Sequence, residues 1–301
     1  MLGSMTSRGT LGVLASINAL VLAMPVPGDA QNVPVSPTIA EAAAKADPCG
    51  GGLLTTTDRP TFGTNPCVVK QSQAHVEAGY KNQTSSNPTG SSLVTFPNAR
   101  LREGLAHNVE FLIDVPTTLT RSASAGPTPD NSFGDVGVGL KWEAGHGKRF
   151  VHGLAGEVVF PAATTAFGTG VPSFNGSYQA AYGILPRLGV GITLGFNDFA
   201  TPLAQTTIAR SATSFRNPTT LAFTPAFAVG GSIFPTTKIS LEIAQNSSQA
   251  ALRSGSTYGD VFVQQLVFPS VLVDANIGQR FNALPNGSRQ HYAGAGIAVH
   301  L

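Results

Sequence analysis

From residue 72 to the C-terminus, apolar positions recur at every second residue, the period of a β-strand with two unlike faces. The stretch "SQAHVEAGYK" sets Ala74, Val76, Ala78 and Tyr80 against His75, Glu77 and Lys81. "NARLREG" puts Leu101 opposite Arg100 and Arg102, and "VEFLIDV" puts Val109, Phe111, Ile113 and Val115 opposite Glu110 and Asp114. In "NSFGDVGVGLKWEA", Val136, Val138, Leu140, Trp142 and Ala144 alternate with Asp135, Gly137, Gly139, Lys141 and Glu143. Further strands are predicted at "HGLAGEVVF" with Glu157 on its polar face, "SYQAAYGI", "VGITLGF", "TLAFTPAFAV", "KISLEIA" with Lys238 and Glu242, "DVFVQQLV", "VLVDANIG" with Asp274, and "YAGAGIAVHL". "DVFVQQLV" alternates poorly, and Pro225 is a blemish in its strand because a closed sheet has no free edge for a missing donor.

These are twelve strands, and the connections between them alternate in length. The short ones are "LAHN", "GHGK", "LPRL", "FPTT" and "FPSV"; the long ones fall near 82–93, 117–132, 162–173, 198–213, 246–257 and 282–289. Short turns on one side and longer loops on the other characterise outer-membrane barrels. A soluble sandwich is the other architecture with strands of two unlike faces, but nothing in it demands this alternation through a dozen strands. The polar face also argues for a barrel. It carries acids, bases and glycines where a water-facing sheet would carry Thr, Lys and Glu, since glycine weakens a strand and marks close approach. The expected fold is therefore all-β: a transmembrane antiparallel up-and-down β-barrel of about twelve strands with an irregular N-terminal periplasmic segment. Trp142 and Phe150 fall at the short-turn ends of their strands. Tyr80, Phe160, Phe196 and Phe281 fall at the opposite ends, as two interfacial belts would.

Upstream of the strands the pattern is different. Arg8, the apolar run "LGVLASINALVLAM" and the small residues "GDA" read as a secretory signal cleaved near Ala30. That run is too short for a spanning helix, which needs ~20 residues. Residues 31–70 are rich in Pro, Ala and Gly, with helical potential only in "TIAEAAAKA". This segment is placed in the periplasm, the mouth of the barrel being the other place it fits. The expected organisation is a signal peptide (1–30), the irregular segment (31–70) and the barrel (71–301). The two cysteines, Cys49 and Cys67, lie within that segment with 17 residues between them. In an oxidising compartment they are expected to pair, whereas a zinc site would need more ligands.

Composition sharpens this picture. Charged residues make up 11% of the 301-residue chain, the formal net charge is +2, and Gly numbers 34. A soluble domain carries about 25% charged residues, and a nucleic-acid-binding one a basic surplus. The stretches "DRPTF" followed by Cys67, "VEAGY", "LREGL", "VEFLIDVP" and "GDVGVGLKW" resemble the family of the MetA-pathway of phenol degradation. Its members are regarded as outer-membrane transporters and are often found beside genes for breaking down aromatic compounds. The resemblance spans roughly residues 55–301. It implies a barrel and passage of small organic molecules, hydrophobic ones included, with no catalytic residues to carry over. Barrels of this sort often end in Phe or Trp, whereas this chain ends in Leu301.

The chemistry-bearing residues are those on the polar faces: Glu77, Arg100, Arg102, Glu110, Asp114, Asp135, Lys141, Glu143, Glu157, Lys238, Glu242 and Asp274. They form either an ion-pair network filling the lumen or the lining of a polar path. Eight of the twelve are acids, so an open path would favour small cations and neutral solutes. A three-residue turn at Leu105–His107 would set Arg102 opposite Glu110, with Arg100 and Asp114 nearby. Gly137 and Gly139 would leave room inside for larger neighbours. There is no G-x-S-x-G, no H-E-x-x-H and no phosphate loop, so no enzyme, metal or cofactor is expected. The expected partners are outer-membrane lipid, lipopolysaccharide and a small organic solute, with both termini in the periplasm and no nucleic acid. A structural or adhesive surface barrel, and a membrane-embedded hydrolase that pairs Ser with His across strands, are the alternatives.

Overall fold

The structure is a computed structural model that describes residues 48–50, 52–59, 61, 63–85, 91–115, 118–123, 130–162, 172–200, 219–246, 256–282 and 289–301. The expected signal peptide, the "TIAEAAAKA" stretch and the centres of the six long connections lie outside these residues.

The strand segments are β1 (Ala74–Ser85), β2 (Ser91–Phe96), β3 (Ala99–Ala106), β4 (Val109–Val115), β5 (Thr118–Ala123), β6 (Asp130–Phe133), β7 (Val136–His146) and β8 (Phe150–Phe160). They continue with β9 (Ser173–Leu185), β10 (Leu188–Ala200), β11 (Thr219–Phe234), β12 (Thr237–Asn246), β13 (Ser256–Phe268), β14 (Val271–Arg280) and β15 (Gln290–His300). A single-turn helix, α1 (Leu53–Thr56), precedes them. All neighbouring strands are antiparallel, and β15 pairs with β1 from His75↔His300 to Ser85↔Gln290, which closes the sheet.

The fifteen segments make twelve staves. Ala99 lies opposite Val115 and Phe96 opposite Thr118, so β2–β3 and β4–β5 keep one register across their breaks. Val109↔Trp142 and Thr118↔Phe133 do the same for β4–β5 against β6–β7. Pro97 stands in the first break, where a residue without an N–H cannot complete the ladder. At the first break the ladder is mended locally: Gly79 N–H donates to Asn98 O at 3.1 Å and Asn98 N–H to Gly79 O at 2.7 Å.

The twelve strands predicted from the alternation are all present. Several run further than predicted, into the 82–93, 117–132 and 198–213 connections. Pro225 is accommodated because the β11–β12 ladder begins only at Ala226. The poor alternation of "DVFVQQLV" also has a cause: Phe262 points inward and is 3% exposed, while Gln265 bonds sideways to Thr237 Oγ1 at 2.5 Å.

Burial is inverted relative to a water-soluble protein. Leu140, Trp142, Leu154, Phe227, Leu241 and Ile243 stand exposed on the outer face, whereas Arg102, Glu110, Glu77 and Lys141 are buried. An apolar outside around a polar inside is the signature of a barrel in lipid. The aromatic side chains expected in two belts are all exposed. Phe234 and Phe268 join the short-turn end, and Phe133 and Phe174 the other. No described helix is long and apolar enough to cross a membrane.

Candidate functional site

The interior of the barrel is occupied by residues of the chain itself. Of the two placements open to the N-terminal segment, its described residues between 48 and 70 take the second: they lie inside the ring, at its short-turn end. The Cys49–Cys67 disulfide forms as expected, spanning 18 positions with Cα atoms 5.4 Å apart, and it packs against Val151 and Ala181 on the wall. Leu53 and Leu54 of α1 bury themselves against Leu272, Ala298 and Leu266. A loop closed by a disulfide has less freedom to lose on being ordered, which suits a segment whose described residues form only the single turn of α1.

The segment is held mainly by charge. Asp58 faces three cations: Lys141 Nζ at 3.1 Å, Arg102 Nη1 at 3.6 Å and Arg100 Nη1 at 3.7 Å. Burial alone would raise the Asp58 carboxyl. Arg102, Lys141 and Arg100 outweigh it and hold that carboxyl below the ordinary carboxylate range. Glu77 accepts the backbone N–H of Asp58 at 3.2 Å and of Arg59 at 3.1 Å, and Glu110 accepts that of Val69 at 2.6 Å. Arg102 binds Glu110 through Nη2 at 2.7 Å and Glu77 through Nη1 at 2.8 Å, and also donates to the carbonyls of Thr56 and Cys67. Buried charges are tolerable only when paired and hydrogen-bonded, and here the partners come from both the wall and the segment.

Arg59 turns the other way. It lies 3.5 Å from Asp274 and donates to Asn98 O and Ala295 O, while its own carbonyl accepts Gln264 Nε2 at 2.6 Å. Its guanidinium needs the bare faces of β1 and β15. A Cβ on Gly79 would come within 2.0 Å of Nη2, and one on Gly296 within 2.6 Å of Nε.

Most of the predicted polar-face residues meet in this cluster. Arg100 and Asp114 are directly opposite and joined at 2.6 Å, and Glu157 lies 3.8 Å from Arg100. Glu157 fills the space left by the glycines of β7, since a Cβ on Gly137 would lie 1.6 Å from its Oε1. Glu143 pairs locally with His146 at 2.6 Å.

One expectation changes. Arg102 is opposite Leu112 rather than Glu110, because the turn is two residues with a bulge between Gly104 and Ala106; the pair meets diagonally. Asp135 falls in the break between β6 and β7 and accepts the N–H of Ala162 at 3.0 Å. Lys238, another of the residues expected in the lumen, lies outside the cluster and lines a cavity. Sequence reasoning missed Asp58 and Arg59 altogether, since they lie in no strand and period two says nothing about them. It also missed the inward set of Asp260 and Tyr292, bonded at 3.1 Å, with Lys81 4.6 Å above the Tyr292 ring.

The segment does not fill the ring. A cavity of about 370 Å³ lies between it and the wall of β8–β13, with Gly191, Ala226, Ala228, Ser240 and Phe262 on the wall side. A second, of about 220 Å³, is lined by Asp58, Arg100, Lys141, Glu157, Asn175 and Asn197 among others. Thr64 and Thr193 line both, and Thr193 Oγ1 donates to Thr64 O at 3.1 Å between them.

No protein-family model matches the chain, and no curated protein matches it at a significant level. Solved structures do. The COG4313 outer membrane channel from Pseudomonas putida F1 is similar over 81% of this chain and 100% of its own, at a TM-score of 0.56 and 10% identity. The NanC porin covers 74% of this chain and 98% of its own, at a TM-score of 0.48 and 9% identity. At such identities the likeness is one of fold. The fold is that of an outer-membrane β-barrel.

Proposed function

We propose that this protein is an outer-membrane conduit for small organic molecules, aromatic and hydrophobic ones among them, in keeping with its resemblance to the MetA-pathway transporters. The carrying observation is the interior: a closed barrel whose inner segment leaves cavities of about 370 and 220 Å³ along one side of the wall. An engineered apolar cavity of ~150 Å³ accommodates benzene, so these volumes suit a single-ring solute.

In this reading the short turns and both termini lie in the periplasm and the long connections meet lipopolysaccharide. The predicted lumenal charges act first as the anchor of the internal segment and only secondarily as the lining of a path. The preference for cations expected from eight acids is replaced by one for neutral solutes, because those in the cluster are matched by Arg100, Arg102, Lys141 and Arg59. The 220 Å³ chamber retains charged walls, but their charges are largely compensated.

The test is uptake of single-ring aromatic solutes by porin-deficient cells, whose lipopolysaccharide retards them, with and without the full-length protein. Swelling of liposomes carrying the purified protein in isotonic arabinose accompanies it. Uptake and swelling no faster than in controls would refute the conduit and favour a structural barrel.

A further inference from the structure

The internal segment is fastened unequally. Toward β1, β3, β4 and β7 it makes the Asp58 ion pairs and the hydrogen bonds to Glu77 and Glu110 already described. Toward β10–β12, its contacts with wall side chains are of a lighter kind. Gly63 N–H donates to Glu242 Oε1 at 2.7 Å, and Thr64 O accepts Thr193 Oγ1 at 3.1 Å. The fit there is close: a Cβ on Gly63 would lie 2.8 Å from Thr193 Oγ1, 3.0 Å from Glu242 Oε1 and 3.4 Å from the Ala226 Cβ.

These same groups stand where the two cavities meet. Gly63 and Glu242 line the larger, and Thr64 and Thr193 line both. The wall beside them is made of small residues. A Cβ on Gly191 would meet nothing nearer than the Ala180 carbonyl at 3.8 Å. The larger cavity offers Leu54, Ala226, Ala228 and Phe262 for an apolar body, and Thr61, Asn65 and Ser240 for a hydrogen-bonding group.

Resting on the conduit reading, we propose that the solute path runs between the internal segment and the β9–β12 wall, and that Gly63–Thr64 against Thr193 and Glu242 is its constriction. The solute is an uncharged molecule no larger than a single ring. Passage requires Gly63–Thr64 to part from the wall, while Asp58 and its cations keep the rest of the segment docked. Parting Gly63–Thr64 breaks hydrogen bonds whose backbone and side-chain groups incoming water or solute can satisfy, whereas undocking Asp58 would separate a buried ion cluster.

The experiment uses the full-length protein in liposomes, with swelling in isotonic arabinose and conductance in KCl as readouts. The double variant Thr193→Ala, Glu242→Ala should speed swelling roughly 10-fold, the order expected from loss of two hydrogen bonds. Blocking is tested by Ala228→Cys, modified after assembly with a bulky thiol reagent; both native cysteines are paired, so only the new thiol reacts. Modification should bring swelling to the level of protein-free liposomes. Gly191→Phe should do the same, with the faster unboiled gel mobility of a folded barrel confirming assembly.

If wild-type protein passes arabinose but neither the loosened nor the blocked forms change the rate, the path lies elsewhere and this inference falls while the conduit reading stands. If wild-type protein is silent and the loosened variant conducts, the constriction is confirmed as closed at rest. If wild-type and loosened forms are both silent, this inference falls, and the conduit reading falls with it only if cellular uptake of single-ring aromatics is also no faster than in controls.

Discussion

Two stretches of the same barrel wall, built with the same alternation, face the interior with different proportions of large and small side chains. From β13 through β15 and β1 to β7, the inner face carries long charged or amide side chains, among them Gln264, Asp274, Glu77, Arg102, Glu110 and Lys141, all buried. From β9 to β12, Ala181, Gly191, Ala226, Ala228 and Gly230 surround a cavity, with Gln179, Lys238 and Glu242 as the longer polar side chains among them. The first stretch grips residues 48–70; the second only touches them. A period of two decides which residues face inward. Their size and charge decide whether the interior is filled or left open, and this barrel does both at one depth.

The comparison breaks most sharply at Arg102. Arg102→Ala would leave Glu77, Glu110 and Asp58 buried without their shared guanidinium. Removing one partner of such a cluster costs ~3–5 kcal/mol. The expected result is a lower urea midpoint for the barrel in lipid and cleavage of residues 48–70 by added protease. A double-mutant cycle with Glu110→Gln should return strong coupling; additivity would mean that the diagonal pair is not formed.

Next comes the disulfide. Replacing Cys49 and Cys67 by Ser should destabilise the docked segment by ~3 kcal/mol on the loop-entropy estimate, read as faster proteolysis of residues 48–70 with the strands still protected. In the native protein, alkylation without reductant should label neither thiol.

On the weakly held side, Thr193→Ala should lower the unfolding free energy by only ~0.5–1.5 kcal/mol, the worth of one hydrogen bond. A loss as large as that of Arg102→Ala would erase the distinction between the two stretches.

The smallest effect concerns pH. Asp58 has a carboxyl lowered by Arg102, Lys141 and Arg100 against the opposing pull of burial. A depressed carboxyl contributes stability that is fully present above its unfolded value of ~3.9 and is lost as pH falls through the folded value. Protection of residues 48–70 from a protease active over the range should therefore not change between pH 8 and pH 5, and should fall only below ~4. Release of the segment near pH 6 would mean that Asp58 does not hold it.

The sequence was most legible where the physics is periodic. Glu157 and the glycines of β7 are an instance: alternation placed Gly137 inside and implied a large neighbour, and Glu157 stands there. Arg102 and Glu110 were legible as neighbours but not in register, because a bulge in a short turn shifts pairing without leaving a mark on composition. Asp135 was read as part of a strand, whereas the strand is broken just before β7 and Asp135 lies in the break. Asp58 and Arg59 were visible in "DRPTF" but silent about their role.

By itself the sequence determined the staves, their two faces and the alternation of short and long connections. Each of these is set by a residue's immediate neighbours, through the pleat and through turn chemistry. Only the tertiary structure decided what occupies the interior. Lys141 meets Asp58 across 83 residues, and Gln264 meets Arg59 across 205. Such partners are chosen by closure of the ring and by the charge and volume left inside it, and neither quantity exists until all the strands are in place.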